Sequence, residues 1–158
     1  MRKPVNLLFF LIIILLTGCQ KDGYIGRLYG TWRLNDYYVN GEKISELSLG
    51  GKEIPASNVT FSFQSDIINI MAVVDNYATY YSQFGTYTEE GDVFTLNFTH
   101  YDDNNPVGTD IYAAPKWLGM ISDAPMIMKS SENSSRSFTL TWTDPDGNVR
   151  VYKLHKTW

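Results

Sequence analysis

Residues 136–143, Arg-Ser-Phe-Thr-Leu-Thr-Trp-Thr, place Phe138, Leu140 and Trp142 at every second position with hydroxyl side chains between them. Successive side chains of an extended backbone point to opposite faces, so this octet has one apolar and one polar face and predicts a half-buried antiparallel strand. Asn58 to Gln64 repeats the pattern with Val59, Phe61 and Phe63. From Gly30 onward the hydrophobic period is two, not 3.6. Turn signals separate the alternating runs: Asn40-Gly41, Gly91 within 89–92, and Asp144-Pro145-Asp146-Gly147-Asn148. Glycine and asparagine tolerate positive φ there, and aspartate bonds its own backbone. Strands are predicted at 31–39, 42–49, 58–64, 67–75, 77–88, 92–101, 109–114, 125–129, 136–143 and 148–156. Short strands alternating with turns predict an all-β barrel or sandwich.

Two segments depart from that rhythm. Ile67 to Val74 is apolar on both faces, so its outward face is expected to be covered by a helix, by the N-terminal tether or by another molecule. Ala113 to Asp123 fits either a loop or a helical turn lying across a barrel mouth.

The chain has 158 residues, enough for one domain. Thirteen Lys and Arg stand against 17 Asp and Glu, a formal net charge of -4, with no basic run in the body. That balance removes the electrostatic attraction a phosphate backbone requires, and no nucleic-acid partner is expected. With 44% hydrophobic and 19% charged residues, the body can bury a core.

At the N-terminus, Arg2 and Lys3 precede an unbroken apolar run from Leu7 to Leu16, followed by Thr17, Gly18 and Cys19. The run falls short of the roughly 20 residues of a membrane span and reads as a secretory signal peptide. Leu16-Thr17-Gly18-Cys19 resembles the bacterial lipobox, in which a peptidase cuts before a cysteine that is then acylated. Cys19 is the one cysteine of the chain, so no internal disulfide can form. The division implied is a lipoprotein signal peptide at 1–18, a lipidated tether at 19–29 and a domain at 30–158. Cleavage leaves 11 Lys and Arg against 17 Asp and Glu, a charge of -6. Acyl chains at Cys19 are therefore expected to hold the protein at the membrane. Gln20 after the cysteine favours the outer membrane, with both the periplasmic face and the cell surface open.

Gly30-Thr31-Trp32 resembles the Gly-x-Trp that opens the first strand of lipocalins, where the indole closes one end of the barrel. Gly85-x-Tyr87, the Gly91-Asp92 turn, Phe94-Thr-Leu96 and Val151-Tyr-Lys-Leu154 resemble small lipocalin-like lipoproteins of Gram-negative gut-type bacteria, a group of unassigned function. The resemblance implies an all-β, lipocalin-like antiparallel up-and-down β-barrel of about eight strands. It also implies that Trp32 is a barrel-closing structural residue, with a basic side chain near the last strand stacked on it. Arg150, Lys153 and Lys156 are the candidates.

Chemistry-bearing motifs are few. Two histidines, His100 and His155, and one cysteine offer no metal-ligand spacing. Asp144-x-Asp146-x-Asn148 opens like a calcium loop but has Val149 at the sixth position and His155 at the twelfth, where glycine and a bidentate glutamate are needed. Asp102-Asp103-Asn104-Asn105 with Asp110 reads as a solvated acidic loop. No Gly-x-Ser-x-Gly elbow, phosphate loop or dinucleotide fingerprint occurs, and Glu89-Glu90 sits in a turn where water solvates both carboxylates. Neither a catalytic role, a metal nor a cofactor is expected. Aromatic residues, at 15% of the chain, supply the remaining signal, with a cluster at Tyr77, Tyr80, Tyr81, Phe84 and Tyr87. These rings either pack as ordinary strand residues or line a cavity. In the second case Tyr80, Tyr81 and Phe84, with Trp117 at the mouth, are expected to bind a small apolar or aromatic ligand. The competing expectation is a structural or protein-interaction module of an outer-membrane assembly, with a filled barrel.

Overall fold

In the computed structural model of the protein, residues 26–75, 79–98 and 113–157 are described. The expected signal peptide, Cys19, Tyr77, His100, the acidic loop at 102–110 and most of the strand expected at 109–114 lie outside them. Alternation becomes structure as expected: β1 (Gly30–Val39), β5 (Val59–Gln64), β6 (Ile67–Val74), β7 (Thr79–Glu90), β8 (Val93–Asn97), β9 (Met126–Ser131), β10 (Ser137–Thr143) and β11 (Val149–Lys156) form one antiparallel sheet. Each pairs with its neighbour, and β11 pairs back onto β1, which closes an eight-stranded up-and-down barrel. Closure removes the sheet edges that would otherwise invite pairing with other chains.

The segment expected as one strand at 42–49 is broken into β2 (Glu42–Lys43) and β3 (Glu46–Leu49), and β3 pairs with an unforeseen β4 (Lys52–Pro55). Gly50 and Gly51, both at positive φ, make that hairpin turn. Leu47, Leu49 and Ile54 are buried, so the hairpin lays an apolar face on the barrel end reached by the C-terminus of β1. Asn40 and Gly41 adopt positive φ in the two-residue turn between β1 and β2, as a hairpin of matching twist demands. The Asn40 side chain also accepts from the Val149 N–H at 2.9 Å, tying this turn to the one before β11.

Every barrel strand turns its apolar parity inward. Trp32, Leu34, Phe61, Phe63, Ile68, Ile70, Phe94, Leu96, Phe138, Leu140, Tyr152 and Leu154 are all buried. The outward row of β6 is not covered: Ile67 is 47% exposed, and Asn69, Met71 and Val73 are half-buried. The expected cover from within the chain is absent among the described residues, since branched and long apolar side chains fit an open pleated face through sheet neighbours alone.

At the end where β1 begins, Trp32 is fully buried and donates its indole N–H to the Leu28 carbonyl at 2.7 Å. Phe138 meets it edge-on with ring centroids 4.7 Å apart, and Phe63 and Phe94 continue the ring contacts. Of the three basic candidates, Lys156 is the one above Trp32, its Nζ 5.3 Å from the ring. Arg27, from the tether side, lies 5.8 Å over Phe138 and ion-pairs with Glu89. Residues 26–29 thus cross and seal this end.

Trp32→Ala is expected to lower the unfolding free energy by about 3–5 kcal/mol in a urea titration. Trp32→Phe should cost less, while leaving the Leu28 carbonyl without its donor.

Candidate functional site

The opposite end of the barrel is its mouth, and polar groups converge there. The segment from Ala113 crosses it and tightens into one 3₁₀ turn at Lys116–Leu118, closed by Gly119 at φ 74°. Pro115 opens the turn and Gly119 permits its left-handed exit. Ala113 to Asp123, open between loop and helical turn in the sequence, is therefore a loop holding a single 3₁₀ turn, which β3 contacts.

Two tyrosines pin that turn from below. Tyr37 Oη and Tyr152 Oη each donate to the Leu118 carbonyl at 2.9 Å, so both lone pairs of one oxygen are used. The rings stack, with centroids 5.1 Å apart at 17°. Arg150 Nη1 donates to Tyr37 Oη at 2.6 Å, and its Nε and Nη2 each reach Asp144 Oδ2 at 2.8 Å. The guanidinium lies directly against Gly119, where a Cβ would collide with it. Asp144 also accepts from the backbone N–H groups of Asp146 and Asn148 through Oδ1. Its carboxylate is spent on its own turn and on Arg150, which gives the Asp144–Asn148 sequence a structural use.

These contacts perturb the groups in a consistent direction. Burial pushes the Tyr152 hydroxyl well above its ordinary value, and burial likewise raises Tyr37 against the opposing pull of Arg150. Burial works against the Asp144 charge, but hydrogen bonds from Asn148 and Arg150 outweigh it and hold the carboxyl below its usual range.

Beside this latch the mouth presents Tyr81, Gln83 and Trp117. Tyr81 pairs with Ala72 and Gln83 with Ile70, both inward-facing and 0% exposed, so the two side chains belong to the interior face. The Tyr81 hydroxyl abuts Gly50 in the β3–β4 turn, where a Cβ would not fit. Trp117 is half-buried, packs against the core and donates its indole N–H to Gln83 Oε1 at 3.2 Å. Among the described residues the Gln83 side chain makes no other hydrogen bond.

Of the four residues expected to line a cavity, the structure brings together Tyr81 and Trp117. Phe84 stands opposite Asn69 on the outer face and is corrected to a surface position. Parity alone excludes it: three positions separate Tyr81 from Phe84, and a regular strand turns such residues to opposite faces. Tyr80 pairs with Val73 in the ladder, and its side chain lies outside those described. Gln83 and the Arg150–Asp144 pair were not anticipated. An arginine at the inward parity of β11, two residues before Tyr152, is the sequence signal that marks a buried, partnered charge.

No family model matches the chain, and no curated protein matches it. Solved structures do. A lipocalin-like protein from Bacteroides uniformis is 17% identical, with a TM-score of 0.50, 83% of this chain covered and 99% of that one. An uncharacterized protein from Bacteroides eggerthii is 15% identical, with a TM-score of 0.52, 80% of this chain covered and 98% of that one. The chain shares the lipocalin-like barrel fold with these proteins, a fold compatible with holding a small hydrophobic molecule.

The latch predicts the pH limits of stability. Tyr152 has a raised folded-state value, so its contribution is present below the unfolded tyrosine pKa of about 10 and is lost as pH rises through the folded one. Asp144 is depressed, so its contribution is present above about pH 4 and is lost as pH falls through its folded value. Urea midpoints followed across pH should decline on both sides, and Tyr152→Phe should flatten the alkaline decline.

Proposed function

We propose that this protein is an exported, lipid-anchored lipoprotein of the cell envelope, without a catalytic role, whose lipocalin-like barrel holds a small apolar or aromatic ligand at its mouth. The single observation that carries the ligand reading is the half-buried pair Tyr81 and Trp117 around Gln83. It places two partly exposed aromatic side chains and an amide at the interior edge of a closed barrel. Such a mix of apolar walls and a few convergent polar groups suits a flat ligand with one hydrogen-bonding edge. Rings from Trp32 to Tyr152 fill the barrel below, which directs a ligand to the mouth. The 3₁₀ turn at Lys116–Leu118 is the element a ligand would displace or lean on.

The anchor reading rests on Leu16-Thr17-Gly18-Cys19, with Cys19 supplying the acylated thiol and amine, and on Gln20 for the outer membrane, at its periplasmic face or at the cell surface. A second reading, a structural or protein-interaction module of an outer-membrane assembly, is favoured by the same ring-filled interior. The uncovered outer row of Ile67, Met71 and Val73, with Phe84 beside it, would be its contact face.

Native mass spectrometry of residues 20–158, purified gently from the native host, separates the two readings. The ligand reading expects a reproducible small-molecule adduct that Tyr81→Ala or Trp117→Ala removes; a clean apo mass that the variants do not alter supports the module instead. For the anchor, Cys19→Ala should abolish partitioning into a detergent phase, and a variant that still partitions would contradict lipidation.

A further inference from the structure

At the sealed end of the barrel, away from the mouth, an open cleft of about 1020 Å³ runs along the outer faces of β1, β5 and β11. Its lining includes Arg33, Arg136, His155 and Lys156, and no acidic residue. In a chain of net charge -4 that is a local inversion of sign. Arg33 stands directly opposite His155 in the β1–β11 ladder, and Ser137 completes the row across β10, next to Arg136. Among the described residues neither Arg33, Arg136 nor Lys156 has an ion-pair partner, a state shared by Lys116, Lys129 and Lys153 outside the cleft. Two carboxylates line a smaller adjoining cleft: Asp36, ion-paired with Lys43, and Glu132, which accepts from the Thr139 hydroxyl at 2.8 Å.

The cleft also lies where the tether arrives. Tyr29 is 47% exposed and lines it. Tyr29 stands ten positions after Cys19, a reach of at most ~35 Å. A tether acylated at Cys19 would therefore enter the barrel from this end.

We infer that this cleft is a binding site for the phosphate groups of anionic membrane lipids, with Arg33 and Arg136 as the phosphate donors and Tyr29 at the headgroup boundary. Guanidinium forks fit phosphate oxygens bidentately, and tyrosine suits an interface that is apolar on one side and wet on the other. The site would orient the anchored barrel, sealed end down and mouth toward solvent. The choice of a membrane lipid as occupant rests on the anchor reading above; the cleft's preference for anions does not.

The test uses the chain from residue 20 onward, which lacks Cys19 and retains the closed barrel with its own core. Co-sedimentation with vesicles of phosphatidylcholine alone is compared with vesicles that also contain phosphatidylglycerol. The site predicts salt-sensitive binding to the second and none to the first. Arg33→Ala and Arg136→Ala should each weaken binding about fivefold, as expected for one cationic side chain at an anionic surface. Lys116→Ala, an equal loss of charge at the opposite end, should leave it unchanged. Indifference to phosphatidylglycerol overturns the inference, as does an equal loss on Lys116→Ala, or binding of inorganic phosphate at the cleft without binding to vesicles. Because no acyl chain is present, failure here leaves the Cys19 partitioning result standing, and failure of that result leaves this one standing.

Discussion

The seam between β1 and β11 is the constraint on which the rest of the molecule depends. Once Trp32 to Val39 pairs with Arg150 to Lys156, the sheet has no edge and every inward side chain faces seven other strands. A closed eight-stranded barrel has an interior just wide enough for side chains to fill, and here aromatic rings do so from Trp32 upward. The same seam positions both end structures. Lys156 sits over Trp32 because the two are register partners, and Arg150 reaches the mouth because it stands six residues earlier on the inward parity of the same strand.

Much of this was legible because rings at period two are a strong signal. Phe138, Leu140 and Trp142, or Val59, Phe61 and Phe63, can occupy one face only in an extended chain. Gly30-Thr31-Trp32 identified the sealed end, and the structure chose Lys156 among three basic candidates by register, which a single sequence does not contain. The β3–β4 hairpin was missed because Glu42 to Leu49 reads as one run, and only Gly50-Gly51 marks the reversal. Phe84 was misplaced because composition drew attention to a cluster of rings while parity divided it. The basic cleft escaped notice because Arg33 on β1, Arg136 in the bend before β10 and His155 on β11 are separated in sequence and meet only after closure.

The two ends of the barrel are chemically unlike, and that asymmetry organises the functional account. One end is sealed by the indole, its carbonyl partner and two cation–ring contacts, with a basic cleft on its flank. At the other, a single carbonyl accepts two tyrosine hydroxyls, a partly buried ion pair braces the turn, and Tyr81, Gln83 and Trp117 remain partly accessible. Breaking a buried pair is costly because the remaining charge is stranded. The latch therefore fixes the Leu118–Gly119 turn, and adjustment is left to the neighbouring Trp117 side chain.

The central claim, that the mouth and not the sealed end receives the ligand, is tested most directly by the tryptophan indole N–H resonances of the folded domain. These report on Trp32 at one end and Trp117 at the other. On titration with a metabolite extract of the native host's envelope freed of phospholipids, the account predicts that the Trp117 resonance shifts as its bond to Gln83 is perturbed, while the Trp32 resonance stays fixed. A shift of Trp32 with Trp117 unmoved would contradict it.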